Sequence, residues 1–226
     1  MHPKLFPTTW ATWKKPEKEN QIISFERRVI HDKVNWASSS TKLTNVQVEP
    51  TKKIEEAHGT LQVDFANKRV GTEQFSNYEG YGRSFHYAGP TKPINFEVDN
   101  LGRIRTQIVV MDALHFKPHE IESQFEREKI DRELHKAFVA FVIPNGETDI
   151  PIATGNWGSG AFNGDLELKF LIQWMAASEA GRGLVVYHTI GDAMQTQAIK
   201  FMEAYLRKKN ASMESYTRQL LATKNG

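Results

Sequence analysis

The sequence of 226 residues contains no cysteine. This absence excludes a disulfide framework, a thiolate metal site and a thiol nucleophile. It favours a reducing compartment, and the N-terminal residues contain no apolar segment of the signal-peptide type. We therefore expect an intracellular protein of the nucleus, the cytoplasm or both.

Long apolar runs and blocks of like charge are missing as well. The longest apolar stretches, at 138–143 and 184–187, are far too short to cross a bilayer, so no membrane partner is expected. The formal net charge of +2 arises from interspersed acidic and basic residues, so direct nucleic-acid binding is not expected either. We expect a monomer.

The length and composition fit a single domain, because 226 residues with 39% hydrophobic content can bury one core. Residues 1–54 contain scattered prolines and no sustained apolar period, which predicts an irregular N-terminal extension wrapped on a domain of residues 55–226. Three tryptophans in this extension are more typical of anchors to a core than of stacking platforms for bases; they are Trp10, Trp13 and Trp36.

From residue 61 onward the pattern is α/β. Apolar β-branched runs predict buried strands at 61–66, 108–114 and 184–190. Helical spacing predicts a helix over 121–141, a helix over 165–180 that is apolar nearly all round, and one or two amphipathic helices at the end. This alternation predicts a largely parallel or mixed sheet covered on both faces. The acids of the first helix are predicted to be solvated; they are Glu122, Glu126, Glu128, Asp131 and Glu133.

A glycine-rich loop, residues 155–164, connects a short strand at 152–154 to the helix that begins near Asp165, and it contains four glycines in ten residues. Glycine lets the backbone adopt positive φ and approach a ligand closely. The N–H groups at the start of the following helix favour an anion such as phosphate. The loop is therefore a candidate phosphate site, with a ligand-free tight turn as the alternative.

Other motifs fit the loop less well. No Lys-Ser or Lys-Thr follows the last glycine, which excludes a nucleoside-triphosphate loop, and Ser159 lacks the outer glycines of a nucleophile elbow. A dinucleotide fold with Asp192 on the ribose is a weak alternative, because the residues after Asp192 read as helix and further parallel strands are missing. His115 and His119 are separated by Pro118 and do not share a helical face, so no metal is expected.

Four motifs in order resemble the catalytic domain of poly(ADP-ribose) glycohydrolase: VDFAN at 63–67, TEQFSNYEGY at 72–81, VMDALHF at 110–116 and ATGNWGSGAFNGD at 153–165. The resemblance runs from about Glu55 to about Asp192, with one gap. It implies a macrodomain-type fold, hydrolysis of the ribose–ribose O-glycosidic bonds of poly(ADP-ribose), and no cofactor. Poly(ADP-ribose) or ADP-ribose is then the expected partner.

The resemblance also implies roles for individual residues. Ile54 and Glu55 would lie at the adenine end of the ligand, where the Glu55 carboxylate would accept a hydrogen bond from the exocyclic amine. Asp64 and Asn67, at the end of a strand, would face the distal ribose, and Asp64 is the one catalytic-site residue that the resemblance retains. The alternative for Asp64 is a cap on the next segment.

The remaining implied contacts cover the ligand or come from the glycine-rich loop. Tyr81, and with it Tyr78, would lie over an adenine or ribose face. Phe162 would pack against the ribose, or alternatively belong to the core. The residues that would line the diphosphate are Asn156, Trp157, Gly158, Ser159, Gly160 and Ala161.

The sequence departs from the family pattern in three places. Ser159 stands where the family commonly has cysteine, and Asn163 stands where it commonly has glycine. After Val70, Gly71 joins directly to Thr72, although the family has a run of glycines, a Gln-Glu-Glu motif whose second glutamate is the general acid, a helix and a core strand at this point.

The absent segment predicts a domain without one core strand and one helix, and a protein that is inactive or strongly impaired but still binds ADP-ribose. General acid catalysis typically contributes about 10²–10⁴-fold to glycoside cleavage. Two alternatives stay open: an active hydrolase that uses Glu73 or Asp64 as the acid, and an interaction fragment that binds no ligand.

Overall fold

The computed structural model describes Arg27 and residues 29–66, 76–79, 86–90, 107–143 and 149–209; for residue 66 and for 76–79 and 86–90 it describes the backbone alone. The chain forms two compact units. One consists of Arg28–Lys92 and Thr106–Gly226 and contains all the described helices and strands. The other, Met1–Arg27 with Pro93–Arg105, lies outside the described residues apart from Arg27.

Five strands form one parallel sheet: β1 (Asn45–Glu49), β2 (Leu61–Ala66), β5 (Gln107–Asp112), β6 (Ile152–Thr154) and β7 (Leu184–His188). Their order across the sheet is β1-β7-β6-β2-β5. A separate antiparallel pair consists of β3 (Ser76–Glu79) and β4 (His86–Pro90). The predicted α/β fold is confirmed, and the described pairings in the sheet are parallel rather than mixed.

Strand β1 lies inside the predicted N-terminal extension. Its residues pair in parallel register with β7, which places them at one edge of the sheet. The prediction of an irregular extension up to residue 54 is therefore wrong for 45–49. The alternation of Val46 and Val48 is too short to distinguish a strand from loop by period alone.

Within the described residues, three α-helices accompany the sheet: α1 (Arg127–Phe141), α2 (Leu166–Glu179) and α3 (Ala193–Lys209). Helix α2 is buried along most of its length, as its apolar composition predicts. It ends in a left-handed Gly181 with φ of 75°, where the N–H groups of Gly181 and Arg182 donate to the carbonyls of Ser178 and Ala177. None of the described helices is long and apolar enough to span a bilayer.

Trp36 joins the N-terminal part of the described chain to the core. Its side chain is 5% exposed. Its ring packs edge-on against Phe138 of α1, with the ring centroids 6.1 Å apart and an interplanar angle of 86°. The predicted anchoring role is confirmed for Trp36, whereas Trp10, Trp13 and the predicted helix beyond residue 209 lie outside the described residues.

Strand β5, at the other edge of the sheet, exposes apolar side chains on one face. Ile108 is 41% exposed and Val110 is 39% exposed, whereas Met111, on the opposite face of the strand, is 2% exposed. Residues 108 and 110 share a face because side chains alternate along a strand. This face of β5 therefore carries apolar surface that a packed helix normally covers in an α/β fold.

The turn after β7 contains an unusual backbone conformation. Ile190 has φ of 48° and is 60% exposed, and Gly191 follows with φ of 81°. A left-handed conformation costs an ordinary L-residue about 1–2 kcal/mol, and asparagine tolerates it better than a β-branched residue. We expect Ile190→Asn to raise the free energy of unfolding by about 1 kcal/mol, measured by urea denaturation.

Gly191→Ala is the matched control. The added methyl group has open space around it, so only the positive φ resists the change. This variant should lower the free energy of unfolding by about 1 kcal/mol. An Ile190→Asn variant that is no more stable than the parent would contradict the prediction.

Candidate functional site

The glycine-rich loop leaves the carboxyl end of β6 and passes close to two neighbouring segments. A Cβ on Gly155 would lie 2.8 Å from the carbonyl oxygen of His188, at the end of β7, and 3.6 Å from the ring of Phe65 in β2. A Cβ on Gly158, where φ is 74°, would lie 2.6 Å from the Cβ of Ala113, just after β5. Glycine is therefore required at both positions, and the loop lies at the carboxyl edge of the sheet, where α/β proteins bind ligands.

The loop uses only part of its own hydrogen-bonding capacity. Trp157 N–H donates to the carbonyl of Gly155 at 2.8 Å, and Gly164 N–H donates to the carbonyl of Gly158 at 2.9 Å. The N–H groups of Ser159 and Asn163 also donate within the loop. Within residues 158–162, four backbone N–H groups donate no hydrogen bond to any described residue; they belong to Gly158, Gly160, Ala161 and Phe162. Free amides in a tight turn are suited to an anion.

The N-terminus of α2 is not itself the open anion site that the sequence predicts. The Asp165 carboxylate caps the helix by accepting from the N–H of Leu168 at 2.8 Å. The N–H of Asp165 donates in turn to the Gln124 side chain at 2.6 Å. A carboxylate at the helix end opposes a second anion there, so the unpaired N–H groups of the loop are the better donors to an anion.

Asn163 accounts for one departure from the family pattern. Its φ is 57°, a left-handed conformation that glycine adopts freely and asparagine tolerates. Its side-chain amide donates to the carbonyl of Phe116 at 2.8 Å. Asparagine therefore preserves the turn where the family commonly has glycine.

Trp157 does not line the loop surface. Its side chain is 0% exposed, and its indole N–H donates to the carbonyl of Met111 at 3.1 Å. Since its backbone N–H is also paired, the predicted diphosphate contact by Trp157 is wrong. A tryptophan beside four glycines in sequence does not reveal which side of the loop it faces.

Asn156 holds the start of the loop through its side chain. Its Oδ1 accepts from the hydroxyl of Tyr187 at 3.2 Å and from the amide of Gln195, and its Nδ2 donates to Gln195 Oε1 at 3.1 Å. Burial raises the pKa of Tyr187, so its hydroxyl remains a proton donor. The sequence predicts Asn156 and gives no signal for Gln195, which contacts it from α3.

The remaining predicted loop residues differ in exposure. Gly160 and Ala161 are exposed, and Ser159 and Phe162 are half-buried. The ring of Phe162 lies 5.2 Å from the ring of His115 and packs against the core, so Phe162 has a structural role at the edge of the loop. The predicted ligand contacts of Gly158, Ser159, Gly160, Ala161 and Phe162 stay predictions.

Asp64 lies in β2, and Glu55 lies in the short helix that precedes this strand. Asp64 is half-buried two residues before the end of the strand, opposite Val110 of β5. Ile54 and the exposed Glu55 lie in a short 3₁₀ helix, and the carbonyl of Glu55 accepts from the Gln62 side chain at 3.4 Å. Tyr78 has a described backbone position in β3, whereas Asn67 and Tyr81 lie outside the described residues.

Asp192, the acid of the alternative dinucleotide interpretation, caps α3. Its Oδ1 accepts from the N–H of Gln195 at 2.9 Å, which satisfies the start of the helix. Within the described part of the chain, no cluster of three or more His, Asp or Glu side chains is arranged to hold a metal ion.

A buried cluster of charges lies beneath the loop. Lys169 of α2 is 0% exposed and forms an ion pair with Glu133 of α1, which is 2% exposed. Glu133 was predicted to be solvated, and this prediction is wrong because it lies three residues after Ile130 on the buried face of the helix. Arg132 contacts Glu133 and, at 2.7 Å, Asp112.

The pKa values of this cluster respond to burial and to the neighbouring charges. Burial lowers the pKa of Lys169, and the Glu133 carboxylate opposes that effect. Burial alone raises the pKa of Asp112, but the hydrogen bond from Lys136 and the charge of Arg132 outweigh it, so the net pKa is lowered. The neighbouring charges therefore favour the charged form of Asp112, and the Glu133 carboxylate offsets part of the cost of burying the Lys169 ammonium.

The fold and the loop together define an α/β domain with a glycine-rich loop at the carboxyl edge of a parallel sheet. The family model described as "Poly (ADP-ribose) glycohydrolase (PARG), Macro domain fold" matches residues 33–73 and 69–197. The chain belongs to the poly(ADP-ribose) glycohydrolase family, as the resemblance predicts.

Curated relatives match the same region. The chain is 29% identical to poly(ADP-ribose) glycohydrolase 2 of Caenorhabditis elegans over 83% of its own length and 50% of the relative. It is 26% identical to the probable poly(ADP-ribose) glycohydrolase 2 of Arabidopsis thaliana over 75% of its length and 49% of the relative. With poly(ADP-ribose) glycohydrolase 1 of C. elegans it shares 40% identity over 51% of its length and 16% of the relative. The chain thus spans about half the length of the first two relatives, and less of the third.

The alignments contain positions that this chain lacks. The alignments with the A. thaliana protein and with C. elegans glycohydrolase 2 extend over 261 and 242 residues, more than the 226 residues of the whole chain, yet only part of the chain is aligned. Both relatives therefore carry internal residues with no counterpart here. The two matched family segments meet at 69–73, the position of the predicted junction.

Ser159, where the family commonly has cysteine, is another departure from the family pattern, and its effect on stability can be tested. Its Oγ is buried and, among the described residues, has no hydrogen-bond partner. Cysteine or alanine at this position needs no such partner. We expect Ser159→Ala to raise the free energy of unfolding by about 1 kcal/mol, measured by urea denaturation.

Ser178→Ala is the control for a buried serine whose hydroxyl is satisfied. Ser178 Oγ donates to the carbonyl of Trp174 at 2.7 Å and accepts from Thr44 N–H at 2.9 Å. Its removal should lower the free energy of unfolding by about 1–3 kcal/mol, since Thr44 N–H then loses its acceptor. Equal signs for the two variants would show that the Ser159 hydroxyl is satisfied in solution.

Proposed function

We propose that this chain binds an ADP-ribose-type ligand at the glycine-rich loop and does not appreciably hydrolyse poly(ADP-ribose). The observation that carries the proposal is the set of unpaired N–H groups at Gly158, Gly160, Ala161 and Phe162, at the carboxyl edge of the sheet. Backbone amides in such a turn suit a diphosphate, because they donate without the cost of ordering side chains.

The surroundings of the loop support an adenosine diphosphate ribose rather than a bare anion. Half-buried Phe162 offers an aromatic edge beside the exposed Ala161. Asp64 on β2, the strand adjacent to β6, and the exposed Glu55 in the 3₁₀ helix before β2 supply carboxylates as acceptors for ribose hydroxyls and for the adenine amine. Asn156 would then act mainly by fixing the start of the loop, since its side chain is bonded to Tyr187 and Gln195.

The proposed lack of hydrolysis follows from the segment that the family carries after Val70. By the resemblance, that segment contains the glutamate that protonates the leaving oxygen, and loss of such an acid removes about 10²–10⁴-fold of rate. Alignments longer than the chain and the meeting of the family segments at 69–73 support its absence. The exposed face of Ile108 and Val110 on edge strand β5 is what the loss of a covering element would leave.

Binding can be tested with a pair of variants that differ in charge alone. Ala161 is exposed, so glutamine and glutamate fit there equally well. We expect calorimetric titration to show ADP-ribose binding to the parent and to Ala161→Gln, and binding at least about tenfold weaker to Ala161→Glu, because the added carboxylate repels the diphosphate. Adenosine, which has no phosphate, should not distinguish the two variants. No heat at millimolar ADP-ribose with the parent protein would refute the binding proposal.

Hydrolysis can be tested with labelled poly(ADP-ribose). We expect release of ADP-ribose to be at least about 10²-fold slower than with C. elegans poly(ADP-ribose) glycohydrolase 2 under the same conditions. Release at a comparable rate, abolished by Asp64→Asn or Glu73→Gln, would instead establish an active hydrolase with a substitute acid.

A further inference from the structure

Helix α2 carries a buried polar stripe on the side that faces the glycine-rich loop. Lys169 lies one helical turn beyond the capping Asp165, and Gln173 lies one turn further; both are 0% exposed in a largely apolar helix. Gln173 donates to the carbonyl of Gly155 at 3.0 Å and accepts from the hydroxyl of Thr154. The stripe therefore holds the first residue of the loop from below.

Lys169 occupies the space that two glycines leave beneath the turn. A Cβ on Gly158 would lie 3.2 Å from Lys169 Nζ, and a Cβ on Gly164 would lie 2.8 Å from Lys169 Cε. The ammonium lies 4.6 Å from the ring centroid of Trp157. The lysine thus contacts the two glycines that close the turn through the bond from Gly164 N–H to the carbonyl of Gly158.

Glu133 fixes the position of the lysine. One carboxylate oxygen pairs with Lys169, and the other accepts from the N–H of Leu114 at 3.0 Å and from Arg132. A buried ion pair is a weak source of stability, because an apolar pair of similar volume serves as well or better. With Asp112 and Lys136, the cluster contains three cations and two carboxylates behind the loop.

We propose that Lys169, held by Glu133, is a positioning residue for ligand binding. It maintains the conformation of the 158–164 turn in which four N–H groups remain unpaired, and these donors make the loop select a diphosphate over an uncharged nucleoside. The ligand in this proposal rests on the proposed function; the effect on the turn does not.

The effect on the turn is measured without ligand by amide hydrogen exchange. Lys169→Met alone would leave the buried Glu133 carboxylate unpaired. The principal variant is therefore Lys169→Met/Glu133→Gln, in which the glutamine still offers an acceptor to Leu114 N–H. We expect the hydrogen-bonded amides of Ser159, Asn163 and Gly164 to exchange at least about tenfold faster in the double variant, with α3 unchanged. Ile199→Ala in α3, at a site 1% exposed, is the control for general destabilisation. The proposal would be overturned if the exchange rates of the loop amides in the double variant were unchanged, or rose no more than they do in Ile199→Ala.

Ligand selection is measured by titration of the same variants with ADP-ribose and with adenosine. Residues that support the ligand-contacting groups of a site typically affect affinity by about 10–100-fold. We therefore expect the double variant to lose at least about tenfold in ADP-ribose affinity. Its adenosine affinity and its unfolding midpoint should stay near those of the parent. A double variant with parental stability and parental ADP-ribose affinity would show that the pair does not position the loop for the ligand. If the parent binds no ADP-ribose, the proposed function fails and the exchange result alone decides the positioning role.

Discussion

The close approach of the glycine-rich loop to its neighbours is the constraint on which the site depends. The backbone at Gly155 and Gly158 passes so near to His188 and Ala113 that no side chain fits at either position. These contacts tie the end of β6 to the ends of β7 and β5, and they set the turn in which N–H groups remain available. The chemistry of the site follows from backbone geometry more than from any reactive side chain.

The second constraint on the site is the burial of polar side chains behind the loop. Lys169, Glu133 and Gln173 are removed from water, which is tolerated because each finds a charged or hydrogen-bonding partner. Their hydrogen-bonding and ion-pair partners lie in the glycine-rich loop, in α1, in α2 and at Leu114, the residue after Ala113. Elements distant in sequence are therefore joined at one point, directly beneath the proposed ligand.

The poly(ADP-ribose) glycohydrolase fold and the segment that is absent after Val70 concern different parts of the domain. The described sheet remains parallel and keeps its loop, because β6, α2 and β7 follow one another in sequence and lie outside the junction at 71 and 72. By the resemblance, the glutamate that acts as general acid in the family belongs to the segment that is absent at that junction. In the proposed function, binding is therefore retained and bond cleavage is lost, since the two depend on different segments.

The sequence alone determined the α/β class, the strand near 61–66, the apolar helix α2, the loop and the family, because periodicity, glycine content and long motifs are local properties. It also contained a usable signal for Lys169 and Gln173, two polar residues one turn apart in an apolar helix. Only the tertiary structure decided that β1 joins the sheet, that Trp157 and Glu133 face inward and that Gln195 holds Asn156. Those outcomes depend on contacts between distant segments, and no spacing along the chain encodes which neighbour a side chain will meet.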